Sequence, residues 1–135
     1  LAAQILHRQL GLSLETNIPV SWLLDVPAQV HGWLPEARYR EVLGGSRLNL
    51  CCSWAETFSY QGAEAALLGV PSLGTRTIPW LPEWAICDEP NSPTAIAAQA
   101  RDILERPHAG EELRTRLVEW AEKANRELTR AIQAL

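Results

Sequence analysis

The 135-residue sequence predicts an α/β domain: a parallel sheet with helices on both faces and a long helix at the C-terminal end. Three observations predict it. Short apolar runs alternate along the chain with segments of helical period. Stop and start signals fall between them, at Gly11, Gly44-Gly45, Gly69 and Ser92-Pro93. Residues 110–135 carry one continuous apolar stripe on an otherwise charged segment.

In order, residues 1–10, LAAQILHRQL, place apolar side chains at 1, 5, 6 and 10, a helical period that Gly11 ends. Residues 18–24 form a short apolar run with Pro19 near its start and read as a strand. AQVHGW, 28–33, reads as a second short strand. Pro35 opens a helix over 35–43, which Gly44-Gly45 close. RLNLCC, 47–52, is a buried strand, and residues 53–58 a loop. Ser59 caps a helix over 60–68, Gly69 supplies its left-handed stop, and VPSL leads into another strand. Residues 75–84, with two prolines and two tryptophans, read as a loop before a last strand at 84–87. Ser92-Pro93 start a helix over 93–106 that Pro107 cannot continue. The stripe of the last helix is Leu113, Leu117, Ala121, Ala124, Leu128, Ile132 and Leu135, supported by Glu112–Arg116, Glu119–Lys123 and Glu122–Arg126 pairs. No repeat or internal domain boundary is visible.

The totals exclude several classes. A net charge of −4 argues against nucleic-acid binding, which uses a basic face. No apolar run approaches the ~20 residues of a membrane span, which leaves only peripheral membrane contact open. Cys51, Cys52 and Cys87 are an odd number without paired spacing, so they read as reduced thiols of a cytoplasmic protein rather than a disulfide or zinc set. The chain opens on Leu1 and has no methionine, which reads as a piece of a longer polypeptide.

Ligands of such sheets bind beyond the carboxyl ends of the strands. The loop after strand 47–52 enters the helix at 60, where unpaired N–H groups attract a phosphate. Thr57 and Ser59 add hydroxyls, Gly62 and Ala63 keep the first turn slim, and Glu64 follows in the second turn, where a carboxylate can accept from a ribose diol. Glu56 precedes the helix, beside a second polar part of the same ligand. The same spacing also fits a plain capped helix, with Glu64 in solvent and Glu56 favouring the helix dipole.

The stretch ETFSYQGAEAALLGVPSLGT resembles the signature of retaining nucleotide-sugar glycosyltransferases of the two-domain GT-B fold, the glycogen-synthase-like and sucrose-synthase-like group. That signature is a glutamate, seven residues, a second glutamate, an alanine-rich helix and Gly-x-Pro; here it is Glu56, Thr57 to Ala63, Glu64, Ala65, Gly69 and Pro71. VHGWLP, YREVLGGSRLNLCCS and IPWLPEW are similar, in order, to the flanking segments. The resemblance implies a Rossmann-like C-terminal half of a GT-B fold that moves a sugar from a nucleoside diphosphate to an acceptor hydroxyl, with no metal or other cofactor. It implies a catalytic place near the donor sugar for Glu56, ribose hydroxyls for Glu64, the diphosphate for Phe58, Ser59, Tyr60 and Gln61, the base for Trp33 and Leu34, and a donor-binding place for Thr57 beside them. It also implies a separate N-terminal acceptor domain, without which the isolated chain is inactive. The family often has glycine at the positions of Thr57 and Ser59. Its basic, glycine-rich first strand has no counterpart here.

Two other readings share the architecture: a nucleotide-sugar epimerase, which fits the glutamate spacing less well, and a non-catalytic domain that docks a partner protein. Other candidates are weaker. His7 reads as a surface residue, and His31 either borders the pocket or, as strand-end histidines more often are, is structural. Trp80 and Trp84 either stack on a ligand or pack against a neighbouring element. In the C-terminal helix, Leu128, Ile132 and Leu135 are expected to be poorly buried, because the family's last helix often reaches the other domain.

Overall fold

The computed structural model describes residues 1–19 and 25–134. The chain is α/β. Helix α1 (Ala2–Leu10) ends on Gly11 at φ 68°, whose N–H closes on the His7 carbonyl. Strands β1 (Leu14–Thr16) and β2 (Ala28–Val30) pair in parallel, Glu15 opposite Gln29. Helix α2 (Glu36–Gly44) leads to β3 (Asn49–Cys51), α3 (Tyr60–Leu67) and β4 (Ser72–Gly74). Strand β4 lies parallel to β3, with Leu50 opposite Leu73. The helix α3 between them makes a strand–helix–strand unit, the connection that parallel neighbours require. Helices α4 (Pro93–Glu105) and α5 (Ala109–Gln133) complete the chain.

Among the described residues the strands form two separate two-stranded parallel sheets, β1-β2 and β3-β4, in place of one continuous sheet. The expected strand at 18–24 lies outside the described residues except for Ile18 and Pro19, which are irregular. Strand β1 was not expected: three residues are too few to show alternation, and pairing with β2 makes the strand. The expected strand 28–33 ends at Val30, and 47–52 and VPSL shrink to the three residues of β3 and β4. The expected strand 84–87 is instead a 3-10 turn, Glu83–Ala85, with one parallel bridge from Ile86 to Gly74. Pro82, with φ fixed near −74°, starts that turn, so only Ile86 and the Cys87 N–H, 2.8 Å from the Gly74 carbonyl, reach the sheet edge.

The core is built where α3, α4 and α5 cover β3-β4 and the 75–87 segment. Leu73, Ile78, Trp80, Ile103 and Leu113 are its largest fully buried apolar side chains. Helix α1 adds Leu6, packed toward α4. A satellite cluster of Leu43, Ala65 and Val70, with Tyr39 and Leu68 at its edge, joins α2 to α3. Helix α5 docks only by its first half. Leu113 and Leu117 are buried, whereas Leu128 and Ile132 are 60% and 61% exposed, as expected. Leu135 lies outside the described residues. Of the three expected ion pairs, Glu122–Arg126 forms; Glu112 turns to Arg106, and Lys123 to Glu127. No helix among the described residues is long and apolar enough to cross a membrane.

Candidate functional site

The carboxyl ends of β3 and β4 open into two loops, 52–59 and 75–82, and the loops are bonded to each other. The Thr75 hydroxyl donates to the Ser53 carbonyl at 2.7 Å, and the Trp80 indole N–H donates to the Phe58 carbonyl at 2.7 Å. Arg76 holds the outer rim by a two-pronged contact to Glu83 and a further bond to Asp88. Trp80 therefore packs inside the core, and Trp84 lies half-buried under the Arg106 guanidinium, 4.5 Å from its ring centre. Neither tryptophan is a free platform for a ligand.

The entrance to α3 is strained. Ser59 has φ 61°, a left-handed backbone that costs a residue with a Cβ about 1–2 kcal/mol. Its hydroxyl accepts from the Gly62 N–H at 3.2 Å and caps the helix. The N–H groups of Tyr60 and Gln61, in the first turn of α3, find no acceptor among the described residues. Replacing Ser59 separates the strain from the cap. Ser59→Gly is expected to leave stability nearly unchanged, because relief of the strain is offset by the lost cap, a few tenths of a kcal/mol, together with the freedom glycine adds to the unfolded chain, about 0.5–1 kcal/mol. Ser59→Ala keeps the strain, loses the cap and should cost about 1 kcal/mol. Urea midpoints in which Ala matches or exceeds Gly would contradict the left-handed turn.

Glu56 is half-buried in the loop, close enough to Cys51 for its charge to bear on the thiol. Burial pushes the Cys51 thiol up to about 11, the Ser59 hydroxyl partly offsetting this and Glu56 adding to it. Cys52 is pushed up to about 12 by burial, then by Cys51 and Cys87. Both are neutral near pH 7, and both direct their S–H at the Leu73 carbonyl. They are packing residues, not nucleophiles.

Thr57 is exposed and Tyr60 is 80% exposed, both beside the α3 entrance. Phe58 is only half-buried, its ring 5.2 Å from Tyr60 and 5.7 Å from Trp120 of α5. Gln61 donates to Asn49 at 3.0 Å, Asn49 donates to Ser72 at 3.2 Å, and Ser72 donates to the Gly62 carbonyl at 3.3 Å. This chain of bonds satisfies the polar groups between helix and strands. It also corrects the part expected of Gly62 and Ala63. Both are buried, and a Cβ on Gly62 would lie 3.0 Å from the Ser59 hydroxyl and 3.4 Å from the Cys51 sulfur. Their small size lets α3 sit close on the sheet; it does not clear a path for a ligand.

Glu64 projects into solvent from the second turn of α3, where the Tyr39 hydroxyl donates to one carboxylate oxygen at 2.8 Å. Trp33 and Leu34 lie in the link from β2 to α2, one turn before Tyr39; Trp33 is 99% exposed and Leu34 half-buried. The Tyr39–Glu64 bond thus ties the helix that follows Trp33 and Leu34 to the helix that carries Glu64. Sequence reasoning missed Tyr39. Its four-residue spacing to Leu43 marks it as helix-facing, but nothing local names the partner of its hydroxyl.

The histidines lie outside this cluster. His7 is half-buried and bonded through Nδ1 to the Leu12 carbonyl at 2.8 Å, which corrects its expected surface place. His31 pairs with Glu15 across β1-β2, a structural role.

In comparisons with family models, curated proteins and solved structures, the chain matches none.

Proposed function

We propose that the chain is the donor-nucleotide-binding, Rossmann-like half of a retaining GT-B glycosyltransferase, taking a nucleoside-diphosphate sugar. The observation that carries this reading is the left-handed backbone at Ser59, φ 61°. It falls at one of the positions where the resembled signature often has glycine, the residue that adopts this conformation freely. A strained turn at the mouth of a helix is where backbone geometry points to function. Beside it, the free N–H groups of Tyr60 and Gln61 suit a diphosphate, and exposed Glu64 suits ribose hydroxyls. Glu56, half-buried on the same loop three residues before the cap, suits the sugar or reacting centre.

The two glutamates test the reading. Glu64→Gln removes an ionised acceptor, and hydrogen bonds to charged groups are worth about 1.5–3 kcal/mol. Free nucleoside diphosphate should therefore bind about 10- to 150-fold more weakly. In the complete two-domain enzyme, Glu56→Gln should spare nucleotide affinity and lower kcat. Calorimetry with UDP, ADP and GDP, beside steady-state rates, decides it. A folded Glu64→Gln variant that binds nucleotide as tightly as the parent removes the ribose role.

A second reading, a non-catalytic domain that docks a partner protein, is favoured by the exposed apolar tail of α5 at Leu128 and Ile132. It predicts no nucleotide binding in the same titration.

A further inference from the structure

Glu64 stands on an exposed surface, where a carboxylate ordinarily samples several rotamers. Here one oxygen is held. The Tyr39 hydroxyl donates to Oε2 at 2.8 Å, and Oε1 has no partner among the described residues. The donor itself is fixed by packing: the Tyr39 ring lies against the cluster of Leu43, Ala65 and Val70, and its backbone N–H donates to the Pro35 carbonyl at 2.9 Å in the first turn of α2. A carboxylate has room for about four hydrogen bonds, and Tyr39 uses one.

We propose that Tyr39 is a positioning residue for nucleotide recognition, holding the Glu64 carboxylate so that its free oxygen meets a vicinal diol and the site prefers ribonucleoside over 2′-deoxyribonucleoside diphosphates. The inference rests on the donor-nucleotide reading above and adds to it a residue and a selectivity. Burial first, and then the Glu64 carboxylate, push the Tyr39 phenol up to about 12, so it is a neutral donor at any physiological pH. With the donor constant, the carboxylate is ordered before the ligand arrives. Affinity is gained when such ordering is completed in advance. A diol offers two donors to the carboxylate, whereas a 2′-deoxyribose offers one. The discrimination therefore depends on orientation as well as charge.

Tyr39→Phe isolates the hydroxyl, because the ring that packs on Leu43, Ala65 and Val70 is retained. The 135-residue chain, its Tyr39→Phe and Glu64→Gln variants and the double variant are titrated by calorimetry with UDP, ADP and GDP, then with the 2′-deoxy form of the tightest of these. Thermal melts check folding. Tyr39→Phe should weaken the ribonucleotide about 3- to 10-fold, the worth of ordering one side chain, and weaken the deoxynucleotide less, since only one of the two sugar donors remains to use the ordered carboxylate. In the Glu64→Gln background it should add nothing, since the group it positions has lost its charge. Equal weakening of both nucleotides, or a full further loss on top of Glu64→Gln, would mean that Tyr39 acts through general stability and overturns the inference. Tyr39→Phe binding like a parent that does prefer ribose overturns the inference alone. A parent that binds none of the nucleotides overturns the donor-nucleotide reading, and the inference falls with it.

Discussion

Gly110→Ala is expected to destabilise the chain by about 3 kcal/mol, the upper end of overpacking costs. A Cβ built on Gly110 would stand 1.8 Å from the Gly69 carbonyl oxygen and 2.6 Å from its carbon. Both are backbone atoms, so no side chain can swing aside. Gly69 cannot yield easily either, since it ends α3 at φ 78°. Helix α5 must instead lift from α3, and its first half carries Ala109, Leu113 and Leu117, all buried. That displacement opens the core on the side where α5 does dock. Gly44→Ala is the control: its Cβ would meet only Leu68, at 3.8 Å, an ordinary contact near a helix end. There alanine should be neutral or stabilising by up to about 1 kcal/mol. Urea denaturation compares the two. Equal midpoints for both variants would show that α3 and α5 do not approach through these glycines.

Trp80→Ala should cost more still, about 3–5 kcal/mol for the lost ring and its cavity. The side chain is fully buried, 0% exposed. Its removal also strips the Phe58 carbonyl of its 2.7 Å hydrogen bond. Trp80→Phe separates the two losses: it keeps part of the volume and drops the N–H, and should cost about 1–3 kcal/mol. The distinction bears on the site, because Phe58 sits between Glu56 and the strained Ser59. Without the indole bond, the loop that carries Glu56 loses an anchor to the 75–82 loop. Hydrogen exchange at amides 54–58 should therefore quicken in Trp80→Phe beyond what its global stability requires. Unchanged local exchange, or an alanine variant within 1 kcal/mol of the parent, a limit far below the usual Trp→Ala loss of about 3–5 kcal/mol, would place Trp80 outside both roles.

What could be read from the residues was local in its physics. Helix α3 begins and ends where Ser59 and Gly69 say it should, because a cap and a left-handed stop act within one turn. Pro93 after Ser92 starts α4 for the same reason, the Ser92 hydroxyl accepting from the Ala95 N–H at 3.2 Å. The stripe of α5 marked a docking face, and the structure limits burial to its first half. Strand β1 was illegible, since Leu14–Thr16 becomes a strand only when Ala28–Val30 lies beside it. The apolar run at 84–87 reads as a strand from its residues alone, and a single bridge to Gly74 is what the tertiary structure leaves of it.

The sequence by itself determined the order of the helices, the capped entrance to α3 and the placing of Glu56 before it and Glu64 within it. Each rests on contacts within a few residues. Only the tertiary structure decided the rest. Gly62 faces the sheet, Trp80 is core, and Tyr39 lies 25 residues from the carboxylate it bonds. A periodicity says which face of a helix is apolar, but not which element covers it. A hydroxyl's partner depends on where two helices meet, and that is set by summed packing across the core rather than by any stretch of neighbouring residues.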